Sequence, residues 1–538
     1  MHSKTKKIKS TIILLLVFSF VLAFSKGFTA KAEAKTIIVP DDYQTITDAI
    51  GNATEGDTIL VKKGTYEGPI NQTLAINKTL SLIGEDAKNT KISLHPPLVP
   101  YTIFTQTFWG YSNPIKIEAN NVKLIGFTIT SDGGSISTVG NTLQITGNVM
   151  SMGVSVTGNK TQIINNTMPS VNLSGSNQTI ANNTISGSSD FLVSCVGSYN
   201  TITSNNVSGS GGGICTSGSH NVVYGNSITA DSGLSGGLDV SGDENIVAKN
   251  IITNFVPIGG SFNIVYGNTI TSNLAIVGND NIFYANYIQG IILGNRVKDA
   301  SNNTFYHNYF DFVENKVLPA GEKTFTVWEG VRGTDFLDNG KEGNYWSDYN
   351  GTDDNDDGIG DTPYVIYAND TRNYHYMADF NVAKIILTDH YPLMAPIKSF
   401  DAGTWEWTNY NIDIISNSTV SNFSFNPESN LISFNVDGET GTTGFCRVTI
   451  PKNLLHTEDR RIVLVDENLV TSTVKEDTNN TYLYFTYPHS TKTIKIIGTT
   501  AIPEFPSWAP MLIVLFGVTV LAVFYKRKLH RNKRGRMS

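Results

Sequence analysis

Charge is what the middle of this chain has least of. Between Asn141 and Ala300 the acids are Asp190, Asp231, Asp239, Asp243, Glu244, Asp280 and Asp299, and the bases are Lys160, Lys249, Arg296 and Lys298. Glycoside hydrolysis uses two carboxylates about 5–9.5 Å apart, and acids this sparse leave few ways to build such a pair. Cysteine is scarcer still, with three in 538 residues. Cys195 and Cys215 fall near one another in the repeat described below, as a thiol pair or a disulfide, and Cys446 stands alone as a core residue. Copper needs clustered His, Met or Cys, whereas His307, His375, Met377 and His390 are scattered along the sequence, so copper is not expected.

What the chain does have is repetition. From about Asn200 to Phe310 the phrase Asn-x-apolar-x-x-Asn-x-apolar recurs, with its second asparagine at Asn205, Asn226, Asn250, Asn268, Asn286 and Asn308. A leading asparagine stands five residues earlier each time, at Asn200, Asn221, Asn245, Asn263, Asn281 and Asn303. Less regular copies centre on Asn148, Asn166 and Asn182. A unit of 18 to 24 residues is too short to bury its own apolar face and must stack on its neighbours. Its short β-branched runs predict strands rather than helix pairs. The pairs Ile202/Val207, Val223/Ile228, Val247/Ile252, Val265/Ile270, Phe283/Ile288 and Phe305/Phe310 should point inward on successive strands. Asparagine at the bend between them tolerates a left-handed backbone, and stacked amides can bond as a ladder.

The repeats, with TIIVPDDYQTITDAI, GDTILVKKGTYEG and LSLIG in Thr36–Gly84, resemble the right-handed parallel β-helix of the pectin lyase-like superfamily, and within it NosD-like surface and periplasmic proteins. The resemblance runs from about Thr36 to Pro396 and implies a first strand, a short capping helix and stacked coils. It implies little about activity, because that superfamily holds lyases, hydrolases and inert binding proteins. A lyase of this kind would want an aspartate cluster and a base on one face. Polygalacturonase-type paired aspartates and Gly-His-Gly are absent from the coils. Only Glu244 and Asp280 share a column, about 10 Å apart with Phe262 between them. No catalytic centre is expected.

The two ends read as membrane signals. Lys4, Lys6, Lys7 and Lys9 precede an apolar run from Ile12 to Phe24 and small-residue cleavage patterns at Ala30–Ala34, as in a secretory signal. Trp508–Tyr525 is an uncharged run long enough to span a bilayer. Seven basic residues follow it, from Lys526 to Arg536, which places the tail inside and the body outside. Pro503-Glu504-Phe505 resembles the archaeal PEF-CTERM sorting signal. Without the signal and tail, 25 bases face 46 acids, a net charge near −21, which disfavours nucleic acid and favours cations. Sequons at Asn71, Asn77, Asn177, Asn206, Asn350, Asn417 and Asn422 fit an exported, glycosylated surface.

Past the coils, GNYWSDYNGTDDNDDGIGD spaces Asp353, Asn355, Asp357, the Ile359 carbonyl and Asp361 as positions 1, 3, 5, 7 and 9 of an EF-hand-type calcium loop. Position 12 is Tyr364 where a bidentate glutamate belongs, so a further ligand would have to come from Asp348 or Asp389. NosD-like proteins carry similar NYWSDY…DGIGDTPY…YPLM segments, which implies a C-terminal cap with calcium as a structural staple. Outward columns can also be counted. Tyr224, Tyr266, Tyr284 and Tyr306 fall in one, where they either contact sugar rings or stabilise the sheet by stacking.

The expected architecture is all-β. Residues 1–35 form a signal peptide, 36–326 a parallel β-helix with its N-terminal cap, and 327–398 a C-terminal cap. Residues 399–500 form a small β-sandwich stalk, 501–525 a sorting motif and single transmembrane helix, and 526–538 a cytoplasmic tail. The expected function is a membrane-anchored, non-catalytic surface protein that contacts polysaccharide or cell envelope. The alternatives are an extracellular polysaccharide lyase or glycoside hydrolase, and a NosD-like copper-binding protein.

Overall fold

The computed structural model describes residues 33–103, 105–230, 236–293, 300–311, 325–327, 335–367, 386–405, 408–456 and 462–501. The signal segment, the sorting motif, the apolar run 508–525 and the basic tail lie outside the described residues, as do His375 and Met377. Among the described residues no helix is long and apolar enough to cross a membrane. The chain is an all-β, right-handed parallel β-helix, divided into two compact units at Val149/Met150.

In the first unit, Thr36–Val39, Thr58–Val61, Ser81–Gly84, Lys123–Ile125 and Gln144–Thr146 stack as parallel strands in that order. A helix over Ile46–Asn52 begins at Thr45, whose side chain accepts the N–H of Asp48, and it buries Ile46, Ala49 and Ile50. One polar N-cap and three apolar residues on one face suffice to hold so short a helix against the strands.

In the second unit most coils carry three short strands, and in two of them the second and third merge into Thr269–Ile276 and Tyr287–Leu293. Thr201–Thr203, Asn206–Gly209 and Gly212–Ser217 make one coil, and Val222–Tyr224, Ser227–Ala230 and Leu238–Ser241 the next. Like pairs with like in parallel: Ile202 with Val223, Val207 with Ile228, Ile214 with Leu238. All twelve apolar residues expected to point inward are fully buried, and each stabilises the rod by about 1.5–3 kcal/mol relative to exposure. The register is fixed because a slip of one residue would turn every one of them outward.

Beyond the coils, still in the second unit, two five-stranded antiparallel sheets face each other. One contains Ile397–Trp405, Thr408–Ser416, Thr443–Pro451, Asn480–Pro488 and Thr473–Glu476. The other contains Thr419–Asn426, Leu431–Asp437, Lys492–Ile497, Ile462–Val465 and Asn468–Val470. Ile412, Ile432, Phe434, Cys446, Val448, Leu483, Phe485 and Ile494 fill the space between them.

Two details of the repeat differ from expectation. The left-handed residue at each bend is not the recurring asparagine but the one before it. Ser204, Lys249, Ala285 and His307 take φ between 55° and 58° there, and Gly225 and Gly267 take 64°. The asparagines are needed for their amides, which point inward, and the turn is left to whatever precedes them. The irregular copy also runs one residue later: Asn183 is buried in the ladder, and Asn182 is the left-handed residue.

Candidate functional site

Two ladders of side-chain amides hold the second unit's coils in register. In the first, the Oδ1 of Asn221, Asn245, Asn263, Asn281 and Asn303 accepts the backbone N–H of the preceding rung at 2.8–3.0 Å. In the second, each of Asn183, Asn205, Asn226, Asn250, Asn268, Asn286, Asn308 and Asn344 accepts from the asparagine before it at 2.9–3.1 Å. Nδ2 donates to a carbonyl of the neighbouring coil, as from Asn250 to Val223 at 2.9 Å. An amide serves here because it both donates and accepts, so every rung can be identical.

Such a ladder has a direction, and its last rung has donors left over. A carboxylate, which only accepts, closes each ladder. Asp335 accepts both the backbone and side-chain N–H of Asn303, at 2.9 and 3.0 Å. Asp389 accepts from the Asn344 backbone at 2.7 Å and from Trp346 Nε1 at 2.9 Å. Burial pushes the Asp389 carboxyl up to about 6, against the pull of those N–H donors. Asp389 is therefore the terminator of the asparagine ladder, and not a spare oxygen beside the acidic turn. Asp348 is also engaged, accepting from Tyr364 Oη at 2.7 Å.

The ladders align the outward columns. Tyr266 and Tyr284 lie with ring centroids 5.0 Å apart and 5° from parallel, and Tyr284 and Tyr306 lie 5.4 Å apart at 9°. Tyr224 is set off from them by the buried Ala248, and the Lys249 ammonium sits 5.6 Å from its ring centre. Stacked this way, the ring faces meet one another and the outward parts are edges and hydroxyls. Burial pushes the Tyr284 hydroxyl up to about 12, so it stays a neutral donor.

A second column, at the bend before each leading asparagine or before Thr161 and Gln178, which take its place in two coils, has a different character. Lys160, Asn177, Tyr199, His220, Glu244, Phe262, Asp280 and Asn302 all take φ near 60°. Left-handed backbone costs a side-chain-bearing residue about 1–2 kcal/mol, least for asparagine. Yet Tyr199 and Phe262 hold that conformation while 58% and 59% exposed. Tyr199 stacks on His220 at 4.7 Å, and His220 Nε2 lies 2.7 Å from Glu244. That Glu244, Phe262 and Asp280 share one column was legible in the sequence. Tyr199 and His220 were missed, although counting one residue back from each leading asparagine finds them.

The acidic turn folds onto itself and onto the sandwich. Asp353 accepts the N–H groups of Asp357 and Gly358 at 2.9 and 2.8 Å, and Asp361 accepts from Asp354 N and Asn355 Nδ2 at 2.6 and 2.9 Å. Asp357 Oδ1 accepts from Ile359 N at 3.0 Å. Lys475, from the strand Thr473–Glu476, donates its ammonium to Asn355 Oδ1 at 2.8 Å and Asp357 Oδ2 at 2.9 Å. Among the described residues no three His, Cys, Asp or Glu side chains converge as a metal site. The turn thus offers hard oxygens of the right kind, with a lysine on two of them.

A buried ion network lies beside it. Glu342 joins His307 of the last coil at 2.5 Å and Arg447 of the sandwich. Burial would raise the Glu342 carboxyl, but its hydrogen bond from His307 and the Arg447 charge hold it down to about 2. Arg447 also lies over the Tyr482 ring, 4.5 Å from its centre. His390 pairs with Asp338 at 3.0 Å, so His307 and His390 each face a carboxylate. Cys195 and Cys215 are free thiols. Cys195 pairs with Thr216, and Cys215 with Ser194, which puts the two sulfurs on opposite faces of adjacent strands. Burial pushes them to about 12 and about 11.

No family model and no curated protein matches this chain. Among solved structures it is similar to a PL6-family alginate lyase (TM-score 0.32, 12% identity, 60% of this chain and 52% of that one). It is also similar to pectin methylesterase PemA from Erwinia chrysanthemi (0.18, 13%, 60% and 91%). A third is the tailspike protein gp49 of the Acinetobacter baumannii bacteriophage Fri1, a capsular polysaccharide depolymerase (0.19, 9%, 88% and 85%). The chain spans about half the length of the alginate lyase. Likeness at this level concerns the course of the backbone and carries no chemistry across.

Proposed function

We propose that this chain is a cell-surface β-helix protein, held by a C-terminal membrane span with its body outside, that binds polysaccharide along the solenoid without cleaving it. The observation that carries the reading is the pair of outward columns, one with the stacked tyrosines Tyr266, Tyr284 and Tyr306 on three successive coils and one with exposed Tyr199, His220, Glu244 and Phe262 on four. A linear polymer lying along such a surface meets an aromatic or polar side chain on successive coils. Phe262, held left-handed while largely exposed, points the same way. The test is a glycan array probed with the full chain, with reducing ends and unsaturated products assayed in the bound fractions. Retention without product is expected. Product release would favour the lyase or hydrolase alternative, for which the His220–Glu244 pair is the best acid–base candidate, and no retention would end the proposal.

Calcium at the acidic turn belongs to the same proposal. Asp353, Asn355, Asp357, the Ile359 carbonyl and Asp361 would hold it, and it would supply a rigid centre for the turn. Any ion there must compete with the Lys475 ammonium for Asn355 and Asp357. Copper has less to recommend it, since His307 and His390 are already paired with carboxylates.

A further inference from the structure

Residues 96–113, PPLVPYTIFTQTFWGYSN, contain no charged side chain, in a chain of formal net charge −8. They leave the coil between Thr90–His95 and Ile115–Ile117 as a hairpin, Leu98–Ile103 against Gln106–Tyr111. Among the described residues the hairpin is a two-stranded sheet of its own and pairs with no other strand. Trp109 is 66% exposed, and Leu98, Tyr101, Phe108 and Tyr111 are exposed as well. An unsupported hairpin of this kind is marginally stable, and exposed apolar side chains this concentrated mark a contact surface. Strand alternation puts Trp109 and Tyr111 on one face and the stacked Tyr101 and Phe108, 5.8 Å apart, on the other.

The first face is seated beside a row of charge. The Tyr111 ring lies so close to Gly133 that a Cβ there would come within 2.5 Å of it. The next residue back, Asp132, holds His95 Nδ1 at 2.8 Å, and Glu67 lies 3.3 Å from His95 Nε2. The hydrogen bonds to Asp132 and Glu67 raise the His95 pKa. An aromatic platform therefore adjoins a carboxylate–imidazole–carboxylate row in the same unit of the fold.

We propose that this hairpin is a saccharide-binding site of its own, taking a neutral hexose or N-acetylhexosamine chain. Trp109 and Tyr111 would stack on a sugar ring, and Asp132, Glu67 and His95 would bond to its hydroxyls. A lipid surface fits less well, because insertion would bring three charged groups toward the bilayer. Two carboxylates on an acidic exterior likewise disfavour a polyuronate. The inference rests on the polysaccharide-binding reading and adds where and what.

The test uses the full chain, its Trp109→Ala and Trp109→Phe variants, and Asp132→Asn. Each is titrated with neutral glucans, mannans, galactans and N-acetylhexosamine polymers, with oligogalacturonate, and with phosphatidylcholine–phosphatidylglycerol vesicles. The expected result is neutral-glycan binding that Trp109→Ala weakens about tenfold, Trp109→Phe largely retains and Asp132→Asn weakens, at unchanged melting temperature. Wild-type binding that survives Trp109→Ala intact would overturn the hairpin site and leave the wider reading standing. No binding to any glycan would overturn both. Trp109-dependent binding to vesicles or oligogalacturonate in place of neutral glycan would overturn the proposed ligand.

Discussion

The middle coils and the C-terminal junction of the second unit solve one problem with opposite chemistry. In the coils, buried polar groups are neutral amides that satisfy one another rung by rung. At the junction they are charged: Glu342 between His307 and Arg447, and Asp389 beneath Asn344 and Trp346. A neutral amide can be repeated indefinitely because each copy leaves its neighbour as it found it. A carboxylate cannot be repeated, since it only accepts, and it belongs where the repeat stops. The termini of the ladders are thus marked by a change of side-chain chemistry as well as by a change of fold.

The comparison is most exposed at Glu342. Replacing it by glutamine leaves the Arg447 guanidinium buried without its partner, and loss of one member of such a pair costs about 3–5 kcal/mol. The Glu342 pKa is held below its ordinary 4.5, to about 2. Its contribution is therefore present above the ordinary value and lost as pH falls through about 2. Denaturant melts from pH 6 to pH 2 should show the wild type losing the junction as acid is added, and the variant, already weakened, losing less. A pH-independent difference between the two would break the charged half of the comparison.

The neutral half breaks in the middle. Asn250→Ala strips the backbone and side-chain N–H groups of Asn226 of their acceptor, and the Val223 and Ala248 carbonyls of a donor. Asn226 Nδ2 keeps the Ile202 and Tyr224 carbonyls and the Ala248 carbonyl keeps Gly225 N–H, so the Asn226 backbone N–H is the main group left unpaired. At about 1–3 kcal/mol for such a group, a loss of up to about 3 kcal/mol is expected, with hydrogen exchange rising at coils on either side. The reciprocal swaps sharpen the point. Asn250→Asp buries an uncompensated charge within the ladder and should cost more than Asn250→Ala. Asp389→Asn, at the end, should cost only about 1–2 kcal/mol. Equal costs at the two positions would deny the ladder its direction.

Much of this was readable because the repeat imposes a frame. The five-residue offset between asparagines, and the inward apolar residues around them, fix the coils in Asn200–Phe310 without any tertiary information. The frame fails where the residue type is ambiguous. Asn182 and Asn183 are adjacent, and choosing between them needs the pairing of Asn166 with Asn183. It fails again where Gln178 takes the rung that asparagine holds elsewhere. The hairpin 98–111 follows no coil period, so its aromatics carry no column. The calcium-loop spacing was plain, but Lys475 lies 120 residues from Asn355 and nothing local announces it. The tyrosine column was plain too, yet whether it offers faces or edges depends on a ring spacing near 5 Å.

The smallest effect tests the acidic turn. Lys475 is a half-exposed lysine holding Asn355 and Asp357, and an ion pair of that kind is worth under about 1 kcal/mol. Lys475→Met should therefore lower the melting temperature only slightly in the absence of divalent ions. If the turn takes calcium, the same substitution frees two of its oxygens and removes a competing positive charge. Calorimetric titration should then show calcium binding about tenfold more tightly to the variant than to the wild type. Calcium should also raise the variant's melting temperature more, and Asp357→Ala should abolish both responses. No calcium binding by either wild type or Lys475→Met would mean that the lysine, and no metal, is the cation this turn was built around, and equal binding by both would mean that the lysine does not compete for it.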